Sequence, residues 1–483
     1  MASFKAPGVY VQDVINGSKT TEQISSSVGI LIGVTRNGLA NVAQKITSWT
    51  EFISKYANGL DTPFIGDDYL AYAVHGFFIN GGKELYIGSV KKSDAVKATT
   101  TSTTNKITAV ASTEGVWGND IKISLKKNAD YSDKQGEEYL AFDITISIGS
   151  SDSVTIMDVT LDKIEGAVMS NLKAKQWLSV FSVDAGTTAL AEEEFTLATG
   201  SNGTALVDDD YKEALKMIDT LEDVTFVAIP GQTSTAVNEA ILEYCDEHGL
   251  FPIIDMPMGS TADVTKTYRK KLNAWTGALT HPWGKVLDPI TNSPKAVPNA
   301  GHIMGVYARI IENYGIHKAP AGVDAVVRGF IEMEYQLTPA QISTLNPLGV
   351  ICVTARPNTG VVVWGARSLN SAQSTMRYVT DGLLNLNIKK FLYTETEFAV
   401  FEPNDEALWS RVEATCKAYL ETLRTSGALK GTADQAYYVT VDSTNNTEDS
   451  IANGELNIEI GYAPVKPAEF VIIKLAHSIV SAE

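Results

Sequence analysis

Few residues in this 483-residue chain combine a reactive side chain with a spacing that suits chemistry. Asp255 closes the apolar run that begins at Phe251, and the carboxyl end of a strand is where α/β enzymes often place a catalytic carboxylate. His281, His302 and Arg309 follow in a Gly- and Pro-rich stretch and could be read as an acid–base cluster. No Ser–His pair, metal set or phosphate loop accompanies Asp255, so strand-end capping or turn chemistry is the favoured reading. For the histidines and the arginine, packing around Trp283 and Tyr307 is favoured, because no acid or nucleophile is matched to them.

The remaining candidates point away from catalysis too. Gly81 and Gly82 could suggest a phosphate cradle, yet they follow a helical stretch instead of opening one. Neither Gly-x-Gly-x-x-Gly nor Gly-Lys-Ser/Thr occurs there, and a helix C-cap is expected. Cys245, Cys352 and Cys416 lie far apart without metal spacing and read as free thiols in a reducing compartment. Cys416 falls on the apolar side of a helix, which makes it a core residue and not a nucleophile. The six histidines are scattered, so no metal and no cofactor is expected.

The formal charge of −18 argues against a general nucleic-acid binder, which needs a surplus of Lys and Arg. Forty-four per cent apolar and 20% charged residues are ordinary for a folded chain and argue against wholesale disorder. The N-terminal stretch MASFKAPGVYVQDV has no apolar h-region, so no secretory signal is expected. No apolar run approaches the roughly 18 residues that a membrane helix needs.

The length calls for several domains. Residues 1–27 read as a polar arm around one short apolar run containing Val9, Tyr10, Val11 and Val14. A strand so short is not stable alone, so it either pairs elsewhere through its tether or forms the edge of its own domain. Residues 28–97 and 204–360 alternate apolar strands with helices, the pattern of a mostly parallel sheet covered by helices. Asp67 or Asp68 is expected to cap a helix with Leu70, Ala73, Val74 and Phe77 in its stripe.

Residues 98–203 open Ser- and Thr-rich, then show strands near 121–125, 142–148 and 154–159 and a helix over 172–180; they read as a β-rich insertion. The stretch 281–347, including Gly301 to Arg309, reads as loop-rich. A C-terminal block over 361–483 opens with a strand at 361–364 and contains an amphipathic helix over 403–424. Leu408, Val412, Cys416, Tyr419, Leu420 and Leu423 lie on its apolar side. At the end, Leu456, Ile458, Ile460 and Tyr462 alternate with polar residues, Pro464 and Pro467 interrupt, and Val471, Ile473, Leu475 and Ile479 share one side of a last strand. The expected fold class is therefore α/β and α+β multidomain: an α/β core domain, an inserted β-rich domain and a C-terminal α+β domain completed by terminal arm strands.

Several stretches resemble the tail sheath proteins of contractile phages and related injection particles. They include Ala6-Pro-Gly-Val-Tyr-Val-Gln12, Ile46-Thr-Ser-Trp-Thr-Glu-Phe52, Tyr69 to Gly82, Gly301 to Arg309, Lys318-Ala-Pro320 and Trp364-Gly-Ala-Arg367. Phe401-Glu-Pro-Asn-Asp-Glu406 with Trp409, and Ala463-Pro-Val-Lys-Pro-Ala-Glu-Phe470, complete the set. Their order and their spread from residue 6 to residue 470 make the resemblance specific. It is weakest over about 98–203.

The resemblance implies a structural subunit without a catalytic site. Such subunits stack as hexameric rings around an inner tube and contract on a baseplate signal, driving the tube through the target envelope. The implied partners are further copies of the chain, the inner tail tube protein, and baseplate and tail terminator proteins, with no nucleic acid and no membrane insertion. The implied location is the virion tail or a contractile bacteriocin particle, assembled in the host bacterial cytoplasm. Within the family the C-terminal block is the inner domain, and terminal arms add strands to neighbouring subunits. That role carries over to Val9, Tyr10, Val11 and Val14, and to Val471, Ile473, Leu475 and Ile479. Basic side chains of the inner domain often meet an acidic tube, which points to Lys417 and Arg424, with Lys389 and Lys390 as second choice. Glu413 and Glu421 share the face of the first pair, so a solvated or intersubunit surface is the competing reading.

Energetics suit arm exchange. Four buried apolar side chains contribute about 6–12 kcal/mol, and ordering about seven residues costs on the order of 7–14 kcal/mol. One arm is thus near balance before ladder hydrogen bonds are added. Two rivals remain on the sequence: an α/β enzyme over 28–95 and 205–360, which predicts a pocket with convergent polar groups, and a non-contractile surface-layer subunit, which predicts no tube partner.

Overall fold

The computed structural model describes residues 27–128, 141–470 and 472. The strand candidates Val9, Tyr10, Val11 and Val14, and Val471, Ile473, Leu475 and Ile479, lie outside the described residues. The chain folds as two compact units. One contains residues 27–309 and 320–372; the other contains Ile310–Ala319 and residues 373–470. The fold is mixed α/β and α+β, as the alternation of patterns implied.

In the first unit eight strands make one sheet. From edge to edge they are Gly360–Val363, Val350–Arg356, Ala278–His281, Phe251–Asp255, Phe226–Ala228, Gly29–Gly33, Leu85–Ser89 and Ala43–Ile46. The two edge strands are antiparallel to their neighbours and all the others run parallel. Gly29–Gly33, first in sequence, lies inside the sheet, with Leu85–Ser89 on one side and the later strands on the other. That is a doubly wound order, and it explains why Gly29–Gly33 is buried at every position.

Helices cover both faces. Ile30 and Ile32 share a core with Tyr211, Val237, Ile241 and Tyr268, which come from helices on one side. On the other side Phe226 and Phe251 meet Tyr307 edge-on, with ring centroids 6.1 and 6.4 Å apart. Tyr307 belongs to the helix Ala300–Tyr314, which packs against the helix Leu70–Ile79. Leu70–Ile79 is therefore buried well beyond its expected stripe, at Ala71, Tyr72 and Gly76 as well. Glycine permits the close approach: a Cβ at Gly301 would lie 2.3 Å from the Ala73 carbonyl oxygen, and one at Gly305 2.4 Å from that of Phe77. The N-cap of Leu70–Ile79 is Tyr69 without a side-chain bond, not Asp67 or Asp68. Its C-cap is Asn80, followed by Gly81 at φ +102°, as expected for a helix stop.

Residues 98–197 gather a separate apolar cluster around Trp117, Phe142, Trp177 and Phe181. It lies between a four-stranded sheet, Glu193–Thr196, Ile121–Lys127, Phe142–Ile148 and Asp152–Val159, and a three-stranded one, Thr99–Thr101, Ile107–Ala111 and Leu178–Val183. Trp177 is fully buried and its Nε1 donates to Asn58 Oδ1 at 2.8 Å.

In the second unit Asp405 caps the helix Glu406–Thr425 through the amides of Ala407 (3.0 Å) and Leu408 (2.9 Å). The expected apolar side of that helix, Leu408 to Leu423, is buried. Tyr419 stacks on Phe391 of the helix Val379–Glu395 and donates to Asn387 Oδ1 at 2.6 Å.

Five elements differ from the sequence reading. Ala300–Tyr314 and Val379–Glu395 are long helices where loops or mixed segments were expected. Two glycines lower the helix propensity of the first, and burial around most of the second hides the amphipathic contrast that marks a helix. Leu178–Val183 is a strand, ending the expected 172–180 helix at Trp177, because Ile107–Ala111 supplies a ladder partner. Thr99–Thr101, read as linker, pairs with the same strand. Gly360–Val363, read as opening the C-terminal block, is the edge of the large sheet.

The separate cluster makes a prediction. Trp177→Ala should destabilise residues 98–197 by about 3–5 kcal/mol. Hydrogen exchange should show lost protection in Ile121–Lys127 and Phe142–Ile148 with Gly29–Gly33 unchanged; uniform loss across both sheets would show that the two cores unfold together.

Candidate functional site

Each residue that could have done chemistry has a structural task. Asp255 is buried, and its Oδ1 accepts from Thr280 Oγ1 (2.7 Å) and from the amides of Asn299 and Ala300 (3.0 Å each). It therefore caps the first turn of Ala300–Tyr314 from a distant strand end, a structural role other than the strand-end capping or turn chemistry expected. Burial raises its carboxyl to about 6, and the three donated hydrogen bonds oppose that rise.

The other three residues are not brought together as an acid–base cluster. His281 Nε2 is bonded to the Tyr335 hydroxyl, and burial lowers the imidazole to about 4. His302 lies against Phe330 with centroids 4.2 Å apart, and burial with His75 nearby pushes it down to about 3. Arg309 donates from Nη1 to the Asn80 carbonyl (2.6 Å) and from Nη2 to that of Val326 (2.7 Å). It thereby fastens the end of Leu70–Ile79 to a loop. Asn80 completes the tie by accepting from the Arg328 amide at 2.8 Å and donating to the Arg328 carbonyl at 3.0 Å.

Cys245, Cys352 and Cys416 are buried free thiols, and burial raises Cys352 and Cys416 to about 12. Among the described residues no group of three or more His, Cys, Asp or Glu could hold a metal ion, and no helix is long and apolar enough to cross a membrane.

The C-terminal stretch is more informative. Glu459–Tyr462 pairs antiparallel with Tyr437–Thr440 in a sheet of two strands. Leu456, Ile458, Ile460 and Tyr462 are half-buried, whereas Glu455, Asn457 and Glu459 are exposed, so the period of two survives although the strand is shorter than its pattern. Beyond it the chain is tied down. Lys466 Nζ lies 2.7 Å from Asp381 Oδ1, a carboxylate only 1% exposed, and Tyr378 donates to Glu469 Oε2 at 3.2 Å. The sequence reading missed these anchors. The available signal was the spacing of Tyr378 and Asp381, which forms a capping arrangement at the start of Val379–Glu395. Past the anchors, Phe470 is 71% and Ile472 81% exposed.

The candidate basic residues fall on two helices. Lys417 pairs with Glu413 at 2.5 Å, one turn away. Arg424 Nε donates to Glu421 Oε2 at 2.8 Å, and that oxygen also accepts from the Tyr437 hydroxyl. Each cation thus carries its own counter-charge. Lys389 and Lys390 lie half-buried on Val379–Glu395.

Asp255 supports a test. Its folded value of about 6 exceeds the unfolded one, so the native state takes up the proton first. The resulting stability is fully present below about pH 4 and lost as pH rises through 6, on the order of 2–3 kcal/mol. Asp255→Asn should flatten urea-derived stability between pH 4 and 7; an unchanged slope would assign the titration to another group.

Residues 205–369 match the phage tail sheath protein central domain, and residues 382–476 match the phage tail sheath C-terminal domain. The tail sheath protein of Salmonella phage ViI is 23% identical over 195 residues, a match spanning 40% of this chain and 30% of that relative. The helical sheath of the anti-feeding prophage in its contracted state is similar in fold, with TM-score 0.61, 21% identity and coverage of 99% of this chain and 100% of that one. The contracted PVC sheath of an extracellular contractile injection system gives TM-score 0.61 and 20% identity over 99% of both chains. A sheath tail protein from Desulfitobacterium hafniense gives TM-score 0.63 and 16% identity over 90% of this chain and 94% of that one. The two matched domains together cover more than half of the sequence, and the chain belongs to the phage tail sheath protein family.

Proposed function

We propose that this protein is the structural subunit of a contractile tail sheath. It polymerises as stacked hexameric rings around an inner tube and contracts to drive that tube through a target envelope. The observation that carries this reading is the pair of sheath-domain matches in family order. Chain-length likeness to sheath subunits, two of them in contracted particles, supports it. The protein works without catalysis: Asp255, His281, His302 and Arg309 are engaged in capping and packing. Its partners are further copies, the tube protein, the baseplate and a tail terminator. Its place is a phage tail or a related particle assembled in the bacterial cytoplasm.

In this reading residues 28–97 and 204–372 carry the sheath core, 98–203 an outward insertion and 373–483 the inner, polymerising domain, since the strand Gly360–Val363 belongs to the large sheet. The arms around Val9–Val14 and Val471–Ile479 add strands to neighbouring sheets, with main-chain bonds supplying strength and alternating side chains supplying register. Phe470 and Ile472 support this use of the C-terminal arm, because they leave the anchored stretch with their apolar surface exposed. Lys417 and Arg424 face the tube, with Lys389 and Lys390 as the second candidates.

Negative-stain microscopy of the purified protein tests the reading: hollow striated cylinders are expected, and discrete small particles would reject it. Deleting residues 1–16 should abolish cylinders, and normal polymers from the truncated chain would exclude the N-terminal arm. Charge reversal at Lys417 and Arg424 should weaken attachment to tube at low salt; unchanged co-assembly would remove both from the contact.

A further inference from the structure

Phe401 is held in a conformation that its own fold does not reward. Its φ is +70°, in the left-handed region that disfavours bulky side chains, and its ring is 88% exposed. Four of the seven non-glycine residues with positive φ among those described are Asn or Asp, the types that tolerate this region. Phe401 is the aromatic exception. Its turn is rigidly built. Thr396 Oγ1 donates to the Leu392 carbonyl at 2.6 Å on one side. On the other, Asn404 donates to the Glu455 carbonyl at 2.9 Å and accepts from Trp409 Nε1 at 2.7 Å. A strained, exposed aromatic on a fixed support is a preorganised contact. Tyr393, 63% exposed, precedes it in sequence, and the exposed carboxylates of Glu395, Glu397, Glu402 and Glu406 flank it along the chain.

A partner for this feature must offer apolar surface bordered by cations. In a chain of charge −18, the run that best meets the second requirement is Lys266, Arg269, Lys270 and Lys271, four cations in six residues and the densest such run in the sequence. Arg269 is occupied with the carbonyls of Leu348, Leu272 and Leu369, but Lys270 and Lys271 are exposed and Lys266 is half-buried. Apolar surface flanks the run, with Met258 57% and Val264 51% exposed; Asp263 is the acidic residue beside it.

We propose that the Phe401 knob seats on the Met258–Val264 surface of a second copy of this chain, with Glu397 and Glu402 facing Lys270 and Lys271. This rests on the reading of the protein as a polymerising subunit. Knob and socket are different surfaces, so the contact is heterologous and propagates as rings or helical filaments instead of closing as a dimer. Charge complementarity favours this surface, because it carries the densest run of cations in the chain.

Two measurements on the full-length protein test the contact: the melting temperature of the unassembled chain, and the critical concentration for cylinder formation by sedimentation and negative stain. Phe401→Asn should leave the melting temperature equal to or above wild type and raise the critical concentration at least tenfold. Glu402→Lys and Lys270→Glu should each raise it severalfold, and the double variant should recover assembly. A lowered melting temperature in Phe401→Asn, or assembly at the wild-type concentration, overturns the knob. Failure of the double variant to recover overturns the socket, and loss of tube attachment with homopolymers intact overturns the choice of a second copy. Wild-type protein that stays as small particles overturns the sheath reading as well, whereas wild-type cylinders matched by Phe401→Asn overturn this contact alone.

Discussion

A carboxylate buried at the start of a helix organises the larger unit. Asp255 ends a central parallel strand, and its oxygen receives the first amides of Ala300–Tyr314, so strand and helix share one fixed point. Burying a carboxylate is unfavourable by itself. Here three donors and the positive end of the helix dipole offset part of the cost, and burial still leaves the carboxyl raised. From that point the helix lies over the sheet, Tyr307 reaches Phe226 and Phe251, and Gly301 and Gly305 bring its backbone against Leu70–Ile79. Arg309 then fastens the far end of Leu70–Ile79 through Asn80. Much of one face of the sheet depends on this chain of contacts.

The smaller unit is arranged differently. Its helices have a well-packed seam, and among the described residues its sheet has two strands, a ribbon that is marginal by itself. The stretch after Glu459–Tyr462 is held by the Asp381–Lys466 ion pair and the Tyr378–Glu469 hydrogen bond, and then exposes Phe470 and Ile472. A unit with anchored strands at its margin suits a subunit whose sheets continue into its neighbours.

Much of this was legible where a segment meets one partner surface. Glu406–Thr425 packs one stripe, so its period of 3.6 showed in the positions of Leu408, Val412, Cys416, Tyr419 and Leu423. Phe142–Ile148 alternates buried and half-buried residues and was placed to the residue. Segments buried on several sides lost their periodicity. Val379–Glu395 buries Thr380, Asp381, Asn385 and Asn387 along with its leucines, and no polar face remains to mark it as a helix. Ala300–Tyr314 was obscured by Gly301 and Gly305, which weaken helix propensity yet are required by a neighbouring backbone far away in sequence.

The sequence alone determined the class of fold, the run of strands and helices, the poverty of catalytic groupings and the resemblance to sheath proteins. Those properties reside in local periodicity, composition and ordered motifs. Tertiary structure decided what single residues do. Which groups Asp255 serves is decided when Asn299 and Ala300 present their amides to it, and of the two uses open to Lys417 beside Glu413 the fold shows a direct pairing across one turn. Phe401 is an ordinary aromatic in the sequence and an exposed, strained one in the fold. A side chain's role is set by the groups that reach it, and long-range packing brings most of those groups from distant parts of the chain.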